Sequence, residues 1–209
     1  DKFTGQLDYI TKHYTVCSLA QVVSALYKKE KLPHNACLLT FDDGLIDHYI
    51  TVFPILDERG LVGSFFPSAI TIMENKMIDA HKIHFILAST DKYNELIGNI
   101  FELIKPFRNE FDIPDDNKLY EKITTQFADS SKYDCPEIVF IKNYLQRGLP
   151  IEICSEIITT LFRHFVPDSE ETLVKELYAT IPQLRCMANH GMEIGGHGYT
   201  HGWLETLTR

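Results

Sequence analysis

Two pairs of side chains, far apart in the chain, have the types and the spacing of a divalent-cation site. Asp42 and Asp43 are adjacent carboxylates in the stretch LLTFDDG, and His197 and His201 stand four positions apart in EIGGHGYTH. Asp43 and the two imidazoles would supply one oxygen and two nitrogen ligands, a set that suits zinc and several other divalent transition metals. The sequence therefore predicts a metal site at Asp43, His197 and His201, with positions left open for water and substrate.

The second carboxylate has a separate role in this interpretation. A cation beside Asp43 offsets the repulsion between the neighbouring carboxylates and keeps both ionised near neutral pH. Asp42 would then be free to take a proton from a metal-activated water, as a general base. A simpler interpretation stays open, because Asp-Gly is a favoured turn pair and the acids could mark only a surface turn.

The two acids follow the first strand of a predicted βαβ unit. The apolar run ACLLTF, residues 36–41, predicts one strand, and LVGSFFPSA, residues 61–69, predicts a second. The stretch between them predicts a helix whose inward face is formed by Ile46, Ile50, Phe53 and Leu56. Pro54 should kink or split this helix. A strand, a helix and a strand with short joints imply parallel strands joined by a right-handed crossover.

The two histidines follow a third short strand, predicted at the start of GMEIGG from residue 191. In α/β proteins, ligand-binding and catalytic groups collect at the carboxyl ends of parallel strands. We therefore expect Asp42, Asp43, His197 and His201 to share one edge of the sheet, although most of the chain lies between the two pairs.

A helix is also predicted near the start of the chain. Ser18 and Gln21 have the S-x-x-Q pattern of a capping box. The helix that follows would carry one apolar face, formed by Val22, Val23, Leu26 and Tyr27. From about residue 75 to 185 the pattern changes to one helix after another, with almost no strand signal, which predicts a helical insertion.

The composition limits the classes of partner. The 209 residues carry a net charge of −9, so nothing in the electrostatics supports a nucleic-acid partner. No run approaches the ~18 apolar residues of a membrane span. The five cysteines are widely spaced and lack a C-x-x-C motif, which argues against a disulfide scaffold and against a cysteine zinc site. Reduced thiols favour the cytoplasm, and a processed periplasmic form stays open.

The stretches LLTFDDG, YITVFPILDERGLVGSFF and HGMEIGGHGYTH together resemble the polysaccharide deacetylases, the NodB-homology or carbohydrate esterase family 4 enzymes. The resemblance covers about residues 1–75 and 185–206. It implies an α/β fold that is a distorted (β/α) barrel. Residues 1–74 would form its first part, 75–185 a large helical insertion, and 186–209 its continuation with the second metal motif.

The resemblance also implies a reaction, which is the metal-dependent removal of acetyl from an N- or O-acetylated sugar in a bacterial polysaccharide or lipopolysaccharide pathway. Asp42 matches the general base of the family, Asp43 the aspartate ligand, and His197 and His201 the histidine ligands. Zinc is the expected ion. It would polarise the acetyl carbonyl and activate the water, and stabilisation of the oxyanion would supply much of the rate.

Three departures from the family pattern modify these expectations. Gly198 stands where Ser or Thr is usual, which predicts a looser loop around the two histidines. The helical insertion makes the gap between the motifs unusually long. The sequence ends at Arg209, and the groove arginine, the acid–arginine pair and the general-acid histidine of the family have no matching position. We therefore expect an incomplete barrel, weak or no metal binding and little turnover from this chain alone.

Two other functions are alternatives to the deacetylase. A catalytically incomplete deacetylase-fold module that binds carbohydrate or a partner stays open. An aspartate-nucleophile phosphatase would need an acid two residues after Asp42, and that position is Gly44. Trp203, the only tryptophan, could stack on a sugar ring or anchor the motif loop in the core. The sequence does not specify the sugar, the acyl group or the oligomeric state.

Overall fold

The computed structural model of the chain describes residues 2–129 and 132–202. The predictions for Trp203 and for the rest of the segment up to residue 209 lie outside these ranges. The described residues divide into two compact units. The first unit contains the residues up to Lys76 together with Glu170–Gly202, and the second unit contains Met77–Ser169.

The strands all lie in the first unit, and all of them pair in parallel. They are β1 (Thr15–Cys17), β2 (Ala36–Leu38), β3 (Thr40–Asp43), β4 (Ser64–Pro67) and β5 (Glu193–Ile194). β1 pairs with β2 in one small sheet, and β3, β4 and β5 form a second sheet with β4 in the middle. The α/β class and the parallel strands are confirmed. The described residues contain no closed barrel, because their two sheets have two and three strands and do not join.

Helices make up most of the described structure. In chain order they are α1 (Lys2–His13), α2 (Leu19–Lys28), α3 (Phe53–Glu58), α4 (Ala69–Met73), α5 (Asp79–Ser89), α6 (Tyr93–Ile104), α7 (Asp116–Gln126), α8 (Pro136–Asn143), α9 (Ile151–Phe165), α10 (Glu170–Leu177) and α11 (Ile181–Asn189). π-helical turns precede α3, at His48–Val52, and follow α8, at Tyr144–Gly148. None of the described helices is both long enough and apolar enough to cross a bilayer.

The described elements of the second unit are all helical and include α5 to α9. Its described residues end at Ser169, whereas the sequence predicted a helical insertion up to residue 185. The difference arises because α10 and α11 belong to the first unit. Leu184 and Met187 of α11 are buried in the core of that unit, and α11 contacts β5.

The core of the first unit lies around the sheet that carries the acid pair. Its buried residues are Leu7, Leu39, Phe53, Leu56, Phe65, Ala179, Leu184, Met187 and Met192. Leu56 of α3 and Phe65 of β4 are fully buried. Burial of an aliphatic or aromatic side chain of this size stabilises a fold by about 1.5–3 kcal/mol. This core therefore holds together the strands whose ends carry the candidate site.

The segment between β3 and β4 is split as Pro54 predicts, but one inward residue was assigned wrongly. Phe53 and Leu56 are buried, whereas Ile50 is 58% exposed. Ile50 lies in the π-helical turn that precedes α3. A π turn has i→i+5 hydrogen bonds, so it shifts the faces of the helix relative to an α-helical projection. The outward position of Ile50 follows from that shift.

The helix near the start of the chain begins as predicted. Ser18 accepts a hydrogen bond from the amide of Gln21, and the Gln21 side chain accepts one from the amide of Ser18, so the capping box is present. Its apolar face, however, is left open by the described residues. No residue of α2 is buried, and Leu26 and Tyr27 are 74% and 84% exposed.

All five cysteines are free thiols, at Cys17, Cys37, Cys135, Cys154 and Cys186. Cys17 is buried and the other four are half-buried. The prediction that the cysteines form no disulfide scaffold is confirmed.

Candidate metal centre

The carboxyl ends of β3, β4 and β5 bring the two sequence motifs to one edge of the sheet. β3 ends at Asp43, which is in register with Pro67 at the end of β4. β5 is short, but backbone hydrogen bonds extend its pairing with β4. The Gly195 amide donates to the Phe65 carbonyl at 2.8 Å, and the His197 amide donates to the Pro67 carbonyl at 3.0 Å. The strand pairing therefore places His197 beside the end of β4.

The loop after His197 is held by the start of α4. The amides of Ala69 and Ile70 donate to the carbonyls of Gly198 and Tyr199 at 3.0 and 2.9 Å. These amides belong to the first turn of a helix, where no carbonyl of the helix itself can accept from them. Gly198 has a φ of 73°, which glycine adopts without strain. The glycine that departs from the family pattern therefore suits the backbone of this loop.

The structure brings together the three residues that the sequence proposed as metal ligands. Asp43 Oδ1 lies 3.4 Å from His201 Nε2 and 3.7 Å from His197 Nε2. The three ligand atoms lie within 4.8 Å of one another. The side chains are 23%, 36% and 32% exposed for Asp43, His197 and His201, so the cluster opens to solvent.

The distances in this cluster fit a shared ion better than a direct ion pair. Charge-assisted hydrogen bonds between nitrogen and oxygen are about 2.7–2.9 Å long, shorter than either separation here. Ligands bound at about 2.0–2.2 Å to a tetrahedral zinc ion lie about 3.3–3.6 Å from one another. The separations of 3.4 and 3.7 Å are close to that range. The two separations from Asp43 are therefore compatible with a shared zinc ion, and the same donor set suits neighbouring divalent transition metals.

The backbone at the cluster is unusual at two of the three ligands. Asp43 and His201 have φ values of 71° and 60°, in the left-handed region that side chains rarely adopt. Gly44 follows with a φ of 70°, and a Cβ there would lie 2.5 Å from the Cβ of Pro67. Such conformations cost about 1–3 kcal/mol each and concentrate at functional sites. The end of β3 is thus a tight turn that glycine permits.

Asp42, the predicted general base, is exposed and lies outside the cluster of three ligands. It is in register with Phe66 of β4, one step before the end of β3. Its carboxylate is close enough to His48 to act on that imidazole electrostatically. The structure thus leaves Asp42 at the same strand end as Asp43, with its carboxylate open to solvent.

His48 is a neighbour of the site that the sequence analysis did not single out. Its ring lies beside the stacked rings of Phe41 and Phe65, at centroid distances of 5.7 and 5.8 Å. Burial lowers the pKa of His48 below its ordinary value, and the carboxylates of Asp43, Asp47 and Asp42 act in the opposite direction. Its Nδ1 is buried without a hydrogen-bond partner among the described residues. The only signal in the sequence was its position shortly after the acid pair.

Glu193 is a second residue that the sequence analysis missed. Its carboxylate accepts hydrogen bonds from the amides of Leu19 and Ala20, at 2.6 and 3.0 Å, and from the hydroxyl of Ser64 at 2.8 Å. It therefore ties β5 both to β4 and to the first turn of α2, where a negative charge is stabilised. No local pattern marks this glutamate, because all its partners lie far away in the sequence.

Comparison with protein-family models, with curated proteins and with solved structures finds no match to this chain. The likeness of the two motifs to the polysaccharide deacetylases therefore stays a prediction. The chemistry of the site rests on the residues themselves and on their geometry.

Proposed function

We propose that the chain carries the metal-binding and base residues of a metal-dependent hydrolase that removes an acetyl group from an N- or O-acetylated sugar. One observation supports this function above the others. The ligand atoms of Asp43, His197 and His201 lie within 4.8 Å of one another at the carboxyl ends of parallel strands. Three protein ligands with free positions are the pattern of catalytic zinc sites, whereas structural zinc sites have four.

Asp42, Asp43 and the two histidines would have different roles in this reaction. Bound zinc supplies a Lewis acid and lowers the pKa of a water molecule towards neutrality. Asp43 contributes the one negative charge of the ligand set, and the two neutral imidazoles leave the ion most of its positive charge. Asp42 accepts the proton of the attacking water, for which its exposed carboxylate is suited.

The exposure of the cluster supports a large, polar substrate. Between 23% and 36% of each ligand side chain is open to solvent. An acetyl group that projects from a saccharide chain can reach such a site without entering a deep cavity. The sugar itself would stay largely hydrated, and the acetyl carbonyl would be the group that is fixed.

A zinc titration tests the ligand assignment. We expect Asp43→Ala and His197→Ala each to weaken zinc binding at least about a hundredfold, since loss of a mere outer-shell partner already costs 10–100-fold. His34→Ala is the matched control, because His34 is an exposed histidine of the first unit outside the cluster. Equal zinc affinity in the wild type and both ligand variants would contradict the metal site.

A second experiment separates the base from the ligands. The wild-type chain should release acetate from acetylated oligosaccharides only slowly. Asp42→Asn should keep zinc affinity and lose this slow zinc-dependent release, because an amide cannot accept the proton of water. Acetate release that is unchanged in Asp42→Asn would remove Asp42 from the mechanism. Saccharide binding that survives both Asp43→Ala and His197→Ala, without acetate release, would favour the carbohydrate-binding module instead.

A further inference from the structure

One face of α2 carries exposed apolar side chains. Val23, Leu26 and Tyr27 are 42%, 74% and 84% exposed. Residues three and four positions apart are neighbours on a helix surface, so these side chains form one apolar stripe. No residue of α2 is buried, and none belongs to the core of the first unit. Single exposed apolar residues are common, whereas contiguous ones mark sites of interaction with proteins or membranes.

The end of α2 and the segment after it are basic. Lys28 is the last residue of the helix, Lys29 is its C-cap, and Lys31 follows, with Glu30 as the one acid in this run. The three lysines are exposed, and none forms an ion pair with a residue that the structure describes. Several exposed lysines elsewhere do pair with a carboxylate, among them Lys76, Lys92, Lys105, Lys118 and Lys175. Unpaired positive charge thus lies at the end of the apolar stripe.

The end of α1 brings a further lysine to the same end of β1 and β2. The Thr15 amide donates to the Asn35 carbonyl at 2.9 Å, and the Asn35 side-chain amide donates to the His13 carbonyl at 3.1 Å. These bonds hold the end of α1 beside the segment that leads from α2 into β2. Lys12 lies in this last turn of α1, exposed and without an ion pair to any described residue.

The charge of this part of the chain is opposite in sign to that of the rest. Residues 1–35 contain five lysines and three acids, so their formal charge is +2. The whole chain carries −9, so the remaining residues carry −11. Asp8, one of the three acids, is paired with Arg59 at 2.7 Å. The net charge of the chain opposes binding to an anionic surface, so any such binding depends on this local excess of lysines.

We propose that this part of α2 docks on a bilayer that contains anionic lipids. The docking surface consists of Val23, Leu26, Tyr27, Lys28, Lys29 and Lys31. Its apolar stripe enters the headgroup region, where the aromatic body and the polar hydroxyl of Tyr27 are both accommodated. The lysines keep their ammonium groups near the anionic headgroups while their apolar stems lie against the lipid.

An anionic bilayer fits the docking surface better than an acidic protein does. Helices that lie in the membrane interface combine an exposed apolar face with lysines, as this helix does. A bilayer accepts a convex helix face without a shaped groove, whereas a protein partner must match its shape. The proposal goes beyond the proposed hydrolase and uses no residue of the metal centre, so either can fail without the other.

Vesicles of two compositions test the attraction. Binding of the chain is measured by flotation with pure phosphatidylcholine and with equal parts of phosphatidylcholine and phosphatidylserine, in a chelator that prevents metal bridges to the lipid. We expect the mixed vesicles to bind at least about tenfold more tightly, because each lysine near an anionic membrane contributes a factor of about five. High salt should release the chain. No binding to the mixed vesicles, or equal binding to both compositions, overturns the proposal.

A lysine variant locates the attraction on α2. The combined change of Lys28→Gln, Lys29→Gln and Lys31→Gln should weaken binding to the mixed vesicles at least about tenfold. The matched control replaces three exposed lysines of the second unit by glutamine, which are Lys92, Lys105 and Lys122. The control changes the net charge by the same amount and should keep its affinity within about twofold. Equal losses in the two triple variants overturn the proposal.

An apolar variant distinguishes a bilayer from a soluble polyanion. Leu26→Gln combined with Tyr27→Gln should weaken vesicle binding at least about tenfold, because both side chains enter the interface. Met73→Gln combined with Ile151→Gln is the control, since these side chains are 70% and 52% exposed outside the docking surface. Binding that needs the three lysines but neither Leu26 nor Tyr27 would indicate an acidic macromolecule and overturn the proposal. Self-association without vesicle binding would assign the surface to a second copy of the chain and overturn it as well.

Discussion

The metal centre and the docking surface on α2 are assembled in opposite ways. The candidate metal ligands of the first unit are Asp43 and the histidines near residue 200, and parallel strand pairing brings them together. The docking surface uses only residues between 23 and 31, on α2 and directly after it. A site assembled from distant segments depends on sheet register and on strained strand ends, whereas a local site depends on the face that one helix leaves exposed.

The two sites also differ in how their side chains meet solvent. The side chains of the three candidate metal ligands are 23–36% exposed, although Asp43 Oδ1, the oxygen nearest both imidazoles, is itself buried. Leu26 and Tyr27 of the docking surface are far more exposed, at 74% and 84%.

The largest expected effect tests the dependence of the first site on its strand ends. Gly44→Ala would place a Cβ 2.5 Å from the Cβ and 3.1 Å from the Cα of Pro67, at a φ of 70°. We expect the free energy of unfolding of the first unit to fall by about 3 kcal/mol, from left-handed strain and overpacking together. Urea denaturation measures this change, and the second unit should unfold as before.

Gly60→Ala is the control for Gly44→Ala. Gly60 has a φ of 62°, but a Cβ there would meet no atom within 4 Å. Strain alone should cost about 1 kcal/mol. Equal losses in the two variants would mean that the contact with Pro67 contributes nothing.

The next effect concerns the hydrogen bonds between Glu193 and residues that lie far away in the sequence. Glu193→Gln removes the charge and one of the two acceptor oxygens that receive the amides of Leu19 and Ala20 and the Ser64 hydroxyl. We expect a loss of about 2 kcal/mol in the unfolding free energy, because hydrogen bonds to a charged group are worth about 1.5–3 kcal/mol. Thermal unfolding of this variant and of Glu58→Gln, an exposed control in α3, gives the comparison. A loss of unfolding free energy no larger than that of Glu58→Gln would show that the hydrogen bonds of Glu193 do not stabilise the fold.

A smaller, pH-dependent effect belongs to the second unit. Burial raises the pKa of the Cys154 thiol from 9.0 to about 12, and the Asp79 charge adds to this shift. Above pH 9 the unfolded chain ionises this thiol while the folded chain keeps it protonated, so stability is complete below pH 9 and falls as the pH rises towards 12. At about pH 10.5 the loss from this thiol should be about 1–2 kcal/mol.

The pH effect is measured by urea unfolding at pH 8 and at pH 10.5. Cys154→Ala should be less stable at pH 8, because the thiol is partly buried, but should lose less stability between the two pH values. The buried Tyr144 contributes a further decline above pH 10, which the variant retains. An identical decline in the wild type and in Cys154→Ala would disprove the role of the thiol.

The smallest effect is expected on α2, whose apolar face is open among the described residues. Leu26 is 74% exposed, so Leu26→Gln should change the unfolding free energy by less than about 0.5 kcal/mol. Leu56→Ala, at a fully buried position of the same unit, should cost about 2–5 kcal/mol. Chemical denaturation of both variants sharpens the contrast, and a large loss in Leu26→Gln would mean that this face is covered.

Local patterns predicted the parts of the fold that depend on neighbouring residues. The capping box at Ser18, the split at Pro54 and the strands at β4 and β5 were read from residue types and spacing. The single strand predicted over residues 36–41 was wrong in its bounds, because the chain forms β2 and β3 of two different sheets there and both acids lie within β3. The outward position of Ile50 was not predicted, because a π turn depends on packing around it. The sequence could not predict that α10 and α11 belong to the first unit, because this assignment depends on contacts with β5 and with the core of that unit.

The residues of the candidate sites also differ in whether a local sequence pattern can predict them. Asp43, His197 and His201 could be proposed from sequence because carboxylates and imidazoles at strand ends are few and chemically distinctive. Glu193 was missed because a glutamate on a short strand has no pattern until its distant amide partners are known. The docking surface on α2 was missed for a different reason, since the apolar residues of a helix look alike whether they fill a core or face solvent.

The shortness of β5 has a consequence for how the first site would exchange its ligand. β5 has two residues, and its attachment to the neighbouring strand relies on a few backbone bonds around Gly195 and His197. Transient release of this segment would move both imidazoles away from Asp43 while the pairing of β3 with β4 persists. An ion bound by both Asp43 and the two imidazoles would hold this segment in place. Amide hydrogen exchange in residues 193–201 should therefore slow as the ion concentration rises.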